Sequence, residues 1–261
     1  MSDPNRKETV LITGASRGIG LALSREFARH GFDLVLVARD TQKLEALAGE
    51  LKSYGVDVRG IALDLSRPDA PKALFDQCQN ESLTIDMLIN NAGIVSFGKF
   101  AETDLEQELQ LIHLNMAVLT HLTKLFLQPM LARKRGRIVN ISSLLGYQPG
   151  GPMWAVYAAS KSYVLSFTKA LSVELRGTGV GITALCPGAT LTDFVGVNNL
   201  GNTATYKLFG MSADKVARLA YNGIMKGKTV VIPGFINKLL AFAGELPPRR
   251  IALEINALLM K

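Results

Sequence analysis

The sequence Thr13-Gly14-Ala15-Ser16-Arg17-Gly18-Ile19-Gly20 follows a short apolar run at residues 10–12 and precedes a segment with helical periodicity. Its glycines allow the sharp turn that brings the backbone close to a ligand, and the N–H groups at the start of the next helix stabilise a pyrophosphate. A glycine cluster can also be a simple tight turn. The position between a strand and a helix instead favours dinucleotide binding, although the commoner spacing is Gly-x-Gly-x-x-Gly.

Short apolar runs alternate with segments of helical length along the chain. The runs that we interpret as buried strands are residues 10–12, 33–37, 56–63, 87–89, 137–141, 181–185 and 229–232. Amphipathic segments such as 21–30 and 41–54 lie between them. This alternation predicts an α/β fold: a single doubly wound Rossmann domain whose seven-stranded parallel sheet is flanked by helices.

We predict one domain over residues 1–261, with a dinucleotide-binding core at residues 9–193. Residues 194–261 are expected to add a loop, the last strand and amphipathic C-terminal helices. The last of these helices is indicated by apolar residues at helical spacing, namely Ile251, Ile255, Leu258 and Leu259.

Composition narrows the class of protein. Hydrophobic residues make up 48% of the 261 residues and charged ones 20%, which is typical of a globular chain with a sizeable core. The two cysteines are far apart and lack metal-ligand spacing, which favours a reducing compartment such as the cytoplasm and predicts no metal site. Residues 1–8 are polar and no long apolar run occurs, so we expect neither a signal peptide nor a membrane span.

The net charge of +7 is concentrated near the C-terminus. From Lys215 onward the sequence has eight basic residues and only two acidic ones, Glu245 and Glu254, so this tail contributes +6 of the net charge of +7. A solvated surface is the favoured interpretation, ahead of an acidic substrate or anionic lipid. Membrane contact is disfavoured because the amphipathic stretch is short and interrupted by prolines. No basic patch is interleaved with aromatic residues, so nucleic-acid binding is not expected.

The end of the second predicted strand bears on the choice of cofactor. A site specific for NAD usually places a carboxylate there, whereas an arginine favours the 2′-phosphate of NADP. Ala38 occupies the position expected for the acid, and Arg39 follows it. Arg39 and Arg17 could clamp a phosphate between them, which predicts NADP(H). We interpret the neighbouring Asp40 as the N-cap of the following helix.

Tyr157 and Lys161 are four residues apart in a segment, 154–175, that is predicted to be one long helix. This spacing places both side chains on one face. A nearby ammonium group lowers the pKa of a tyrosine by favouring the phenolate, so the tyrosine can exchange a proton with a carbonyl or alcohol oxygen. The pair alone is weak evidence, because such pairs are common on solvated helices.

Several further motifs occur along the chain. Together with the glycine turn and the Tyr157–Lys161 pair, in this order, they make the chain resemble the short-chain dehydrogenase/reductase family in its single-domain branch. The resemblance spans about residues 9–193. Its motifs are the glycine turn, Asp64 after strand three, Asn90-Asn91-Ala92-Gly93 after strand four, Asn115 in the next long helix, Ser142-Ser143 after strand five, Tyr157-Ala158-Ala159-Ser160-Lys161, and Pro187-Gly188 after strand six.

The resemblance implies four catalytic residues. Ser143 would hydrogen-bond the substrate oxygen, and Tyr157 would act as the general acid in reduction. Lys161 would lower the pKa of Tyr157 and bind the nicotinamide ribose, while Asn115 would hold a water that passes protons to Lys161. Two alternatives stay open: Asn115 could cap or kink its helix, and Ser142 could be the reactive serine if the register shifts by one residue.

The resemblance also implies the remaining site residues. The cofactor would contact Gly14, Ser16, Arg17, Gly18, Ile19, Gly20, Arg39, Asp64, Leu65, Asn91, Ala92, Gly93, Tyr157, Lys161, Pro187, Gly188, Thr190 and Thr192. The substrate would contact Ser143, Leu145, Met153, Trp154, Tyr157 and Phe194, the last in a segment that closes over the substrate in this family.

The expected function is that of an NADP(H)-dependent oxidoreductase. The apolar character of the substrate residues favours a hydrophobic ketone or secondary alcohol, such as a 3-oxoacyl, steroid-like or aromatic ketone. The alternative is a dinucleotide-binding regulator or scaffold with the same fold and no turnover. A homodimer or homotetramer through the helices that hold Asn115 and Tyr157 is what the family resemblance suggests.

Overall fold

The structure is a computed structural model, and it describes residues 6–148, 150–192 and 209–245. The strands are β1 (Thr9–Thr13), β2 (Asp33–Ala38), β3 (Val58–Ala62), β4 (Met87–Asn90), β5 (Gly136–Ile141), β6 (Val180–Leu185), β7 (Thr190–Leu191), β8 (Met211–Ser212) and β9 (Val230–Val231). Seven of them form a parallel sheet in the order β3-β2-β1-β4-β5-β6-β9, and β7 pairs with β8 in a separate small sheet.

Helices connect the strands. They are α1 (Gly18–Arg29), α2 (Thr41–Lys52), α3 (Ala70–Asn80), α4 (Leu105–Ile112), α5 (Leu119–Ala132), α6 (Ala155–Glu174), α7 (Ala213–Met225) and α8 (Phe235–Glu245). A π-helical turn, His113–Val118, joins α4 to α5, and a short 3₁₀ turn, Leu144–Gly146, precedes α6. Among the helices of the described ranges, none combines the length and apolarity needed to cross a bilayer.

Each strand of the sheet centre is buried on both faces. On β1, Val10 and Ile12 belong to the core cluster that includes α1, α2 and α7, while Leu11 belongs to the cluster that includes α3 and α5. Successive strand residues point to opposite faces, so an uninterrupted apolar run supplies both cores at once. The predicted α/β fold with a seven-stranded parallel sheet flanked by helices is therefore confirmed.

Side-chain caps fix where several helices begin. The carboxylate of Asp40 accepts a hydrogen bond from the Lys43 N–H at 3.0 Å, and the Asp104 carboxylate accepts one from the Gln107 N–H at 2.8 Å. Such caps satisfy N–H groups that have no partner within the helix. The interpretation of Asp40 as an N-cap agrees with this geometry.

Several boundaries differ from the predictions. The third strand begins at Val58 rather than at residue 56, and the last consists of Val230–Val231 alone. The β7–β8 pair was not predicted, because two-residue strands are too short to show alternation. The predicted closing loop and the helix after residue 245 lie outside the described residues, so the single-domain boundaries stay a prediction.

A buried chain of polar side chains links the neighbouring helices α5 and α6 to β4 and β5. The Asn90 amide donates to Thr123 Oγ1 at 3.0 Å and to Asn140 Oδ1 at 2.9 Å, and Asn140 in turn donates to Thr168 Oγ1 at 3.0 Å. Asn90 and Asn140 face each other in the sheet register. All four side chains are buried, so their bonds form in a low-dielectric interior where an unpaired group is costly.

We expect Asn140→Ala to lower the free energy of unfolding by about 2–3 kcal/mol, because it removes hydrogen bonds from two buried partners. Urea unfolding followed by circular dichroism measures the change. Ser53→Ala is the matched control, because it removes one exposed bond to a backbone carbonyl. Equal stability of the two variants would show that the chain of buried amides contributes nothing.

Candidate active site

The candidate site lies where the carboxyl ends of β1 and β4 meet. From β1 the sheet order runs outward to β2 and β3, and from β4 it runs the other way to β5 and β6. The loops after the two strands therefore separate to opposite sides and leave a crevice between them. Ligands of open α/β sheets bind at such a reversal of strand order.

The glycine loop after β1 has the backbone geometry that the sequence predicts. Gly14 and Gly18 have φ values of +65° and +57°, which residues other than glycine rarely adopt. A Cβ at Gly20 would meet the Gly14 carbonyl oxygen and the Asn91 amide. The loop is therefore tightly turned, and the absence of side chains at its glycines lets a phosphate approach its backbone closely.

Thr13 and Asn91 tie the glycine loop to the end of β4. Thr13 Oγ1 accepts hydrogen bonds from the N–H groups of Asn91 at 2.9 Å and Ala92 at 3.0 Å. The Asn91 amide donates to the carbonyls of Thr13 at 2.8 Å and Gly14 at 3.1 Å. The sequence predicted a role for Asn91 but missed Thr13, which could have been found as the polar residue that ends an apolar strand.

Arg17 and Arg39 lie on loops that the structure holds side by side. The Ala15 N–H donates to the Val37 carbonyl at 3.2 Å, which joins the glycine loop to the end of β2. Both arginines are exposed, and in the described ranges neither has a carboxylate within 4.0 Å. Asp40 does not compete for the arginines, because it caps α2 and lies 3.7 Å from Lys43 Nζ.

Asp64 follows β3 in a partly buried position. Burial raises the pKa of its carboxyl, but hydrogen bonds from the Ser66 N–H and hydroxyl outweigh burial, and Arg39 and Arg67 add positive charge. The pKa of Asp64 therefore lies below its ordinary value. The next residue, Leu65, is buried in the core.

The segment after β6 reaches back to the glycine loop. The side chain of Thr192 lies 3.4 Å from where a Cβ of Gly18 would be, and the Thr190 hydroxyl donates to the Gly188 carbonyl at 3.0 Å. The Pro187 carbonyl accepts from the Leu144 N–H at 2.8 Å. The predicted cofactor residues from β1 and from β6 thus border one crevice.

Lys161 is buried below Tyr157. Its Nζ lies 5.5 Å from the centroid of the Tyr157 ring and donates to the Ile141 carbonyl at 3.0 Å. Burial lowers the pKa of Lys161 to about 8, because the charged form loses its hydration. Lys161 Nζ also lies 3.8 Å from where a Cβ of Gly93 would be, so the ammonium faces the Asn-Asn-Ala-Gly loop.

Asn115 lies in the π-helical turn and not in the long α-helix that the sequence predicts. Its Oδ1 accepts from the Ile94 N–H at 3.0 Å, and its Nδ2 donates to the Ile94 carbonyl at 2.9 Å and to Ser160 Oγ at 3.3 Å. The side chain therefore fixes the loop after β4. The predicted bound water is not tested by this geometry and stays a prediction.

The two serines after β5 have different surroundings. Ser142 is buried and donates to the Lys161 carbonyl at 2.7 Å, so its hydroxyl joins β5 to α6. Ser143 is only partly buried, and its Oγ accepts from the Leu145 N–H at 3.2 Å at the start of the 3₁₀ turn. The hydroxyl of Ser143 can still donate to a ligand. Ser160, which sequence reasoning missed, donates to the Tyr157 carbonyl at 2.7 Å and so links the helix to Asn115.

An apolar wall adjoins Tyr157. It comprises Val95, Phe97, Leu145, Met153 and Trp154. The Trp154 ring lies 4.6 Å from Phe97 and 5.6 Å from Tyr157 between centroids. Met153 has a φ of +68°, a strained conformation of the kind that concentrates at functional sites. Phe194, the remaining predicted substrate residue, lies outside the described residues.

Known proteins are similar to this chain in sequence. The sequence profile of the family described as short chain dehydrogenase matches residues 8–202. The ketoacyl reductase HetN of Nostoc sp. is 34% identical over 94% of this chain and 86% of its own length. The 17-beta-hydroxysteroid dehydrogenase type 3 of Rattus norvegicus is 36% identical over 74% of this chain and 64% of its own length.

Solved structures share the fold. A short-chain dehydrogenase from Sphingobium yanoikuyae in complex with NADPH is 36% identical, covers 91% of this chain and 92% of its own, and has a TM-score of 0.81. A short-chain dehydrogenase/reductase from Burkholderia phymatum in complex with NAD has a TM-score of 0.81 at 24% identity, covering 92% of this chain and 94% of its own. The second likeness concerns the fold alone.

We expect the buried ammonium of Lys161 to destabilise the ligand-free protein at neutral pH. Its pKa is about 8 in the folded chain and 10.5 in the unfolded chain, so between these values the unfolded chain binds more protons and stability rises with pH. Relative to Lys161→Met, the wild type should gain about 2 kcal/mol of unfolding free energy between about pH 7.5 and about pH 9.5. Urea unfolding at both pH values measures the difference, and a constant difference would contradict the buried charge.

Proposed function

This chain belongs to the short-chain dehydrogenase/reductase family and is an oxidoreductase acting on CH–OH or C=O groups, and we propose that it uses NADP(H) to interconvert a hydrophobic ketone and its secondary alcohol. The observation that carries this proposal is the Tyr157 ring, which lies 5.5 Å above the buried Lys161 ammonium and against an apolar wall. A proton donor, a cation that tunes it and a place for an apolar substrate thus occur together.

The residues present fit a nicotinamide dinucleotide. The glycine loop takes positive φ values at Gly14 and Gly18, and among the described residues no side chain caps the N-terminus of the helix that follows it, so the first N–H groups of that helix can bind a pyrophosphate. Gly93 faces both Asn115 and Lys161, and a side chain there would occupy the space beside the ammonium. When bound, the nicotinamide supplies or accepts the hydride of the reaction.

The transfer of the proton involves three further side chains, those of Tyr157, Ser143 and Lys161. In reduction the Tyr157 hydroxyl gives its proton to the carbonyl oxygen, and in oxidation the phenolate takes the proton of the alcohol. The Ser143 hydroxyl donates a hydrogen bond to the same oxygen and stabilises the charge that develops on it. The Lys161 ammonium favours the phenolate of Tyr157 and binds the nicotinamide ribose, while Asn115 holds a water for proton return.

The preference for NADP(H) rests on Arg17 and Arg39. Both guanidinium groups are exposed and have no carboxylate within 4.0 Å in the described part of the chain, and Asp40, which follows Arg39, caps α2. A guanidinium binds a phosphate with paired, charge-assisted hydrogen bonds. The related Sphingobium structure contains NADPH, which supports the same choice.

The substrate is proposed to be hydrophobic. The wall of Val95, Phe97, Leu145, Met153 and Trp154 offers apolar and aromatic surface beside the proton donor. The relatives include a ketoacyl reductase and a 17-beta-hydroxysteroid dehydrogenase, and their names point to oxoacyl and steroid compounds. Oxoacyl, steroid-like and aromatic ketones are therefore the compounds to test first. Phe194 is proposed to close this pocket.

We further propose a homodimer or homotetramer in a reducing compartment such as the cytoplasm. An apolar groove of about 460 Å³ runs along α4, the π-helical turn and α6, lined by Phe100, Ile112, Met116, Ala155, Val156, Ala159 and Ser160. Leu105 and Leu109 are exposed on the same helix, α4, which supports contact with a second copy there. Cys78 and Cys186 are both buried and unpaired, as expected in a reducing environment.

Replacing both arginines should shift the cofactor preference. Arg17→Ala/Arg39→Ala is expected to weaken NADPH binding by about 100-fold, because two charge-assisted contacts to the 2′-phosphate are lost, and to leave NADH binding nearly unchanged. Fluorescence titration with both cofactors measures this. Arg59→Ala is the control, because Arg59 is an exposed arginine paired with Glu81. Equal affinity of the wild type for NADH and NADPH would sink the proposed preference.

Turnover is tested by NADPH oxidation, followed by absorbance, against the panel of ketones. Tyr157→Phe should lower kcat by at least about 100-fold through loss of the proton donor. Ser143→Ala should lower kcat by about 100-fold, whereas Ser142→Ala should lose stability and keep kcat within about 10-fold. The opposite order for the two serines would reassign the reactive hydroxyl. A wild type that binds NADPH and reduces no ketone would favour a non-catalytic binding protein.

A further inference from the structure

Helix α8 has one face in the protein and one in solvent. Asn237, Ala241 and Gly244 are buried. The opposite face carries four large apolar side chains that are each at least 53% exposed, namely Phe235, Ile236, Leu239 and Phe242. So many exposed apolar groups on one 11-residue helix form a patch of the kind that marks a binding surface.

The inner face fixes α8 against the segments that border the site. The Gln148 amide donates to the Leu240 carbonyl at 3.4 Å, and Gly244 packs close to the Tyr147 carbonyl. A Cβ at Gly188 would lie 2.5 Å from Asn237 Oδ1. The helix thus rests on the turn that follows Ser143 and on the loop after β6. Its outer residues take no part in this packing.

The charges around α8 indicate what covers the outer face. Lys238 is exposed and has no carboxylate within 4.0 Å in the part of the chain that the structure describes, while the carboxylate of Glu245 lies 3.4 Å from Lys169 Nζ. From Lys215 onward the sequence carries six of the seven net positive charges, including Arg249 and Arg250 just after α8. A second copy on this face would bring two Lys238 ammonium groups together, whereas an anionic surface would be attracted to each of them.

We propose that α8 binds the surface of a bilayer that contains anionic lipids. Phe235, Ile236, Leu239 and Phe242 enter the boundary between headgroups and acyl chains, and Lys238 contacts the lipid phosphates. The sequence alone disfavoured membrane contact because prolines interrupt the tail. In the structure α8 spans Phe235–Glu245 and contains no proline, so the apolar face of this helix is continuous.

Membrane contact at this place bears on the substrate, a consequence that rests on the proposed reductase function. Because α8 packs on the turn after Ser143, a bilayer bound to its outer face lies beside the rim of the site. Ketones that partition into the bilayer would then be within reach at high local concentration. The substrate class that fits is a lipid-dissolved ketone rather than a polar one in water.

Vesicle flotation of the full chain, without cofactor or substrate, tests the binding itself. We expect the chain to bind vesicles of phosphatidylcholine with about 30% phosphatidylglycerol at least about 10-fold more tightly than pure phosphatidylcholine vesicles, and to lose affinity as salt is raised. The variant Phe235→Ser/Leu239→Ser/Phe242→Ser should bind at least about 10-fold more weakly. Phe235→Leu/Phe242→Leu keeps the apolar surface and should bind within about 3-fold of the wild type.

Several results would overturn the proposal. They are failure of the wild type to float, equal binding to neutral vesicles, and equal binding of the serine variant. Light scattering tests the alternative that a second copy of the chain covers this face. If the serine variant forms a smaller oligomer than the wild type, the face belongs to an interface between copies. Circular dichroism checks folding, and the single variants Phe235→Ser and Phe242→Ser replace the triple variant if it unfolds. The flotation assay does not depend on turnover, so its result can be interpreted even if the proposed reaction is not observed.

Discussion

The hydrogen bonds between Thr13 and Asn91 hold together the two strands at which the sheet order reverses. One hydroxyl receives two backbone N–H groups of the loop after β4, while one amide binds the last carbonyls before the glycine turn. The crevice exists because the loops after β1 and β4 diverge, and these bonds fix their common edge. Gly20 has to lack a side chain for the same reason, since its Cβ would enter this junction. The position of the glycine loop thus depends on residues of a different strand.

Burial of the Lys161 ammonium is the second constraint on the site. The group loses its hydration. In its place it donates a hydrogen bond to the Ile141 carbonyl and lies over the face of the Tyr157 ring. Ser142 holds the Lys161 backbone to β5, and Ser160 connects the same helix to Asn115. The polar groups around the lysine therefore hold its backbone and helix in place. A cation kept in such a place lowers the stability of the fold at neutral pH, and a strongly shifted pKa of this kind is typical of a functional site.

The parts of the site differ in how firmly they are held. The residues proposed to transfer the proton stand at a strand end and on the long helix α6, which packs against β5 and β6. The apolar wall is built from loops, and Met153 adopts its strained φ of +68° where its carbonyl accepts from the Gly98 N–H at 2.9 Å. Loops can vary in sequence without disturbing the sheet. The wall can therefore change in sequence with less effect on the sheet than the residues at the strand ends.

The sequence by itself determined the sheet, the glycine turn and the order of the motifs, because buried parallel strands need apolar runs and tight turns need glycine, and both leave local patterns. It could not distinguish Ser142 from Ser143 or place Asn115 in a π-helical turn, since those depend on contacts with α6 and with Ile94. The network through Asn90 and Asn140 was equally invisible, because each residue is an isolated polar position in an apolar strand. Only the tertiary structure decided which face of α8 is buried, since a helix with apolar residues on several faces can be buried on any of them until another element packs against it.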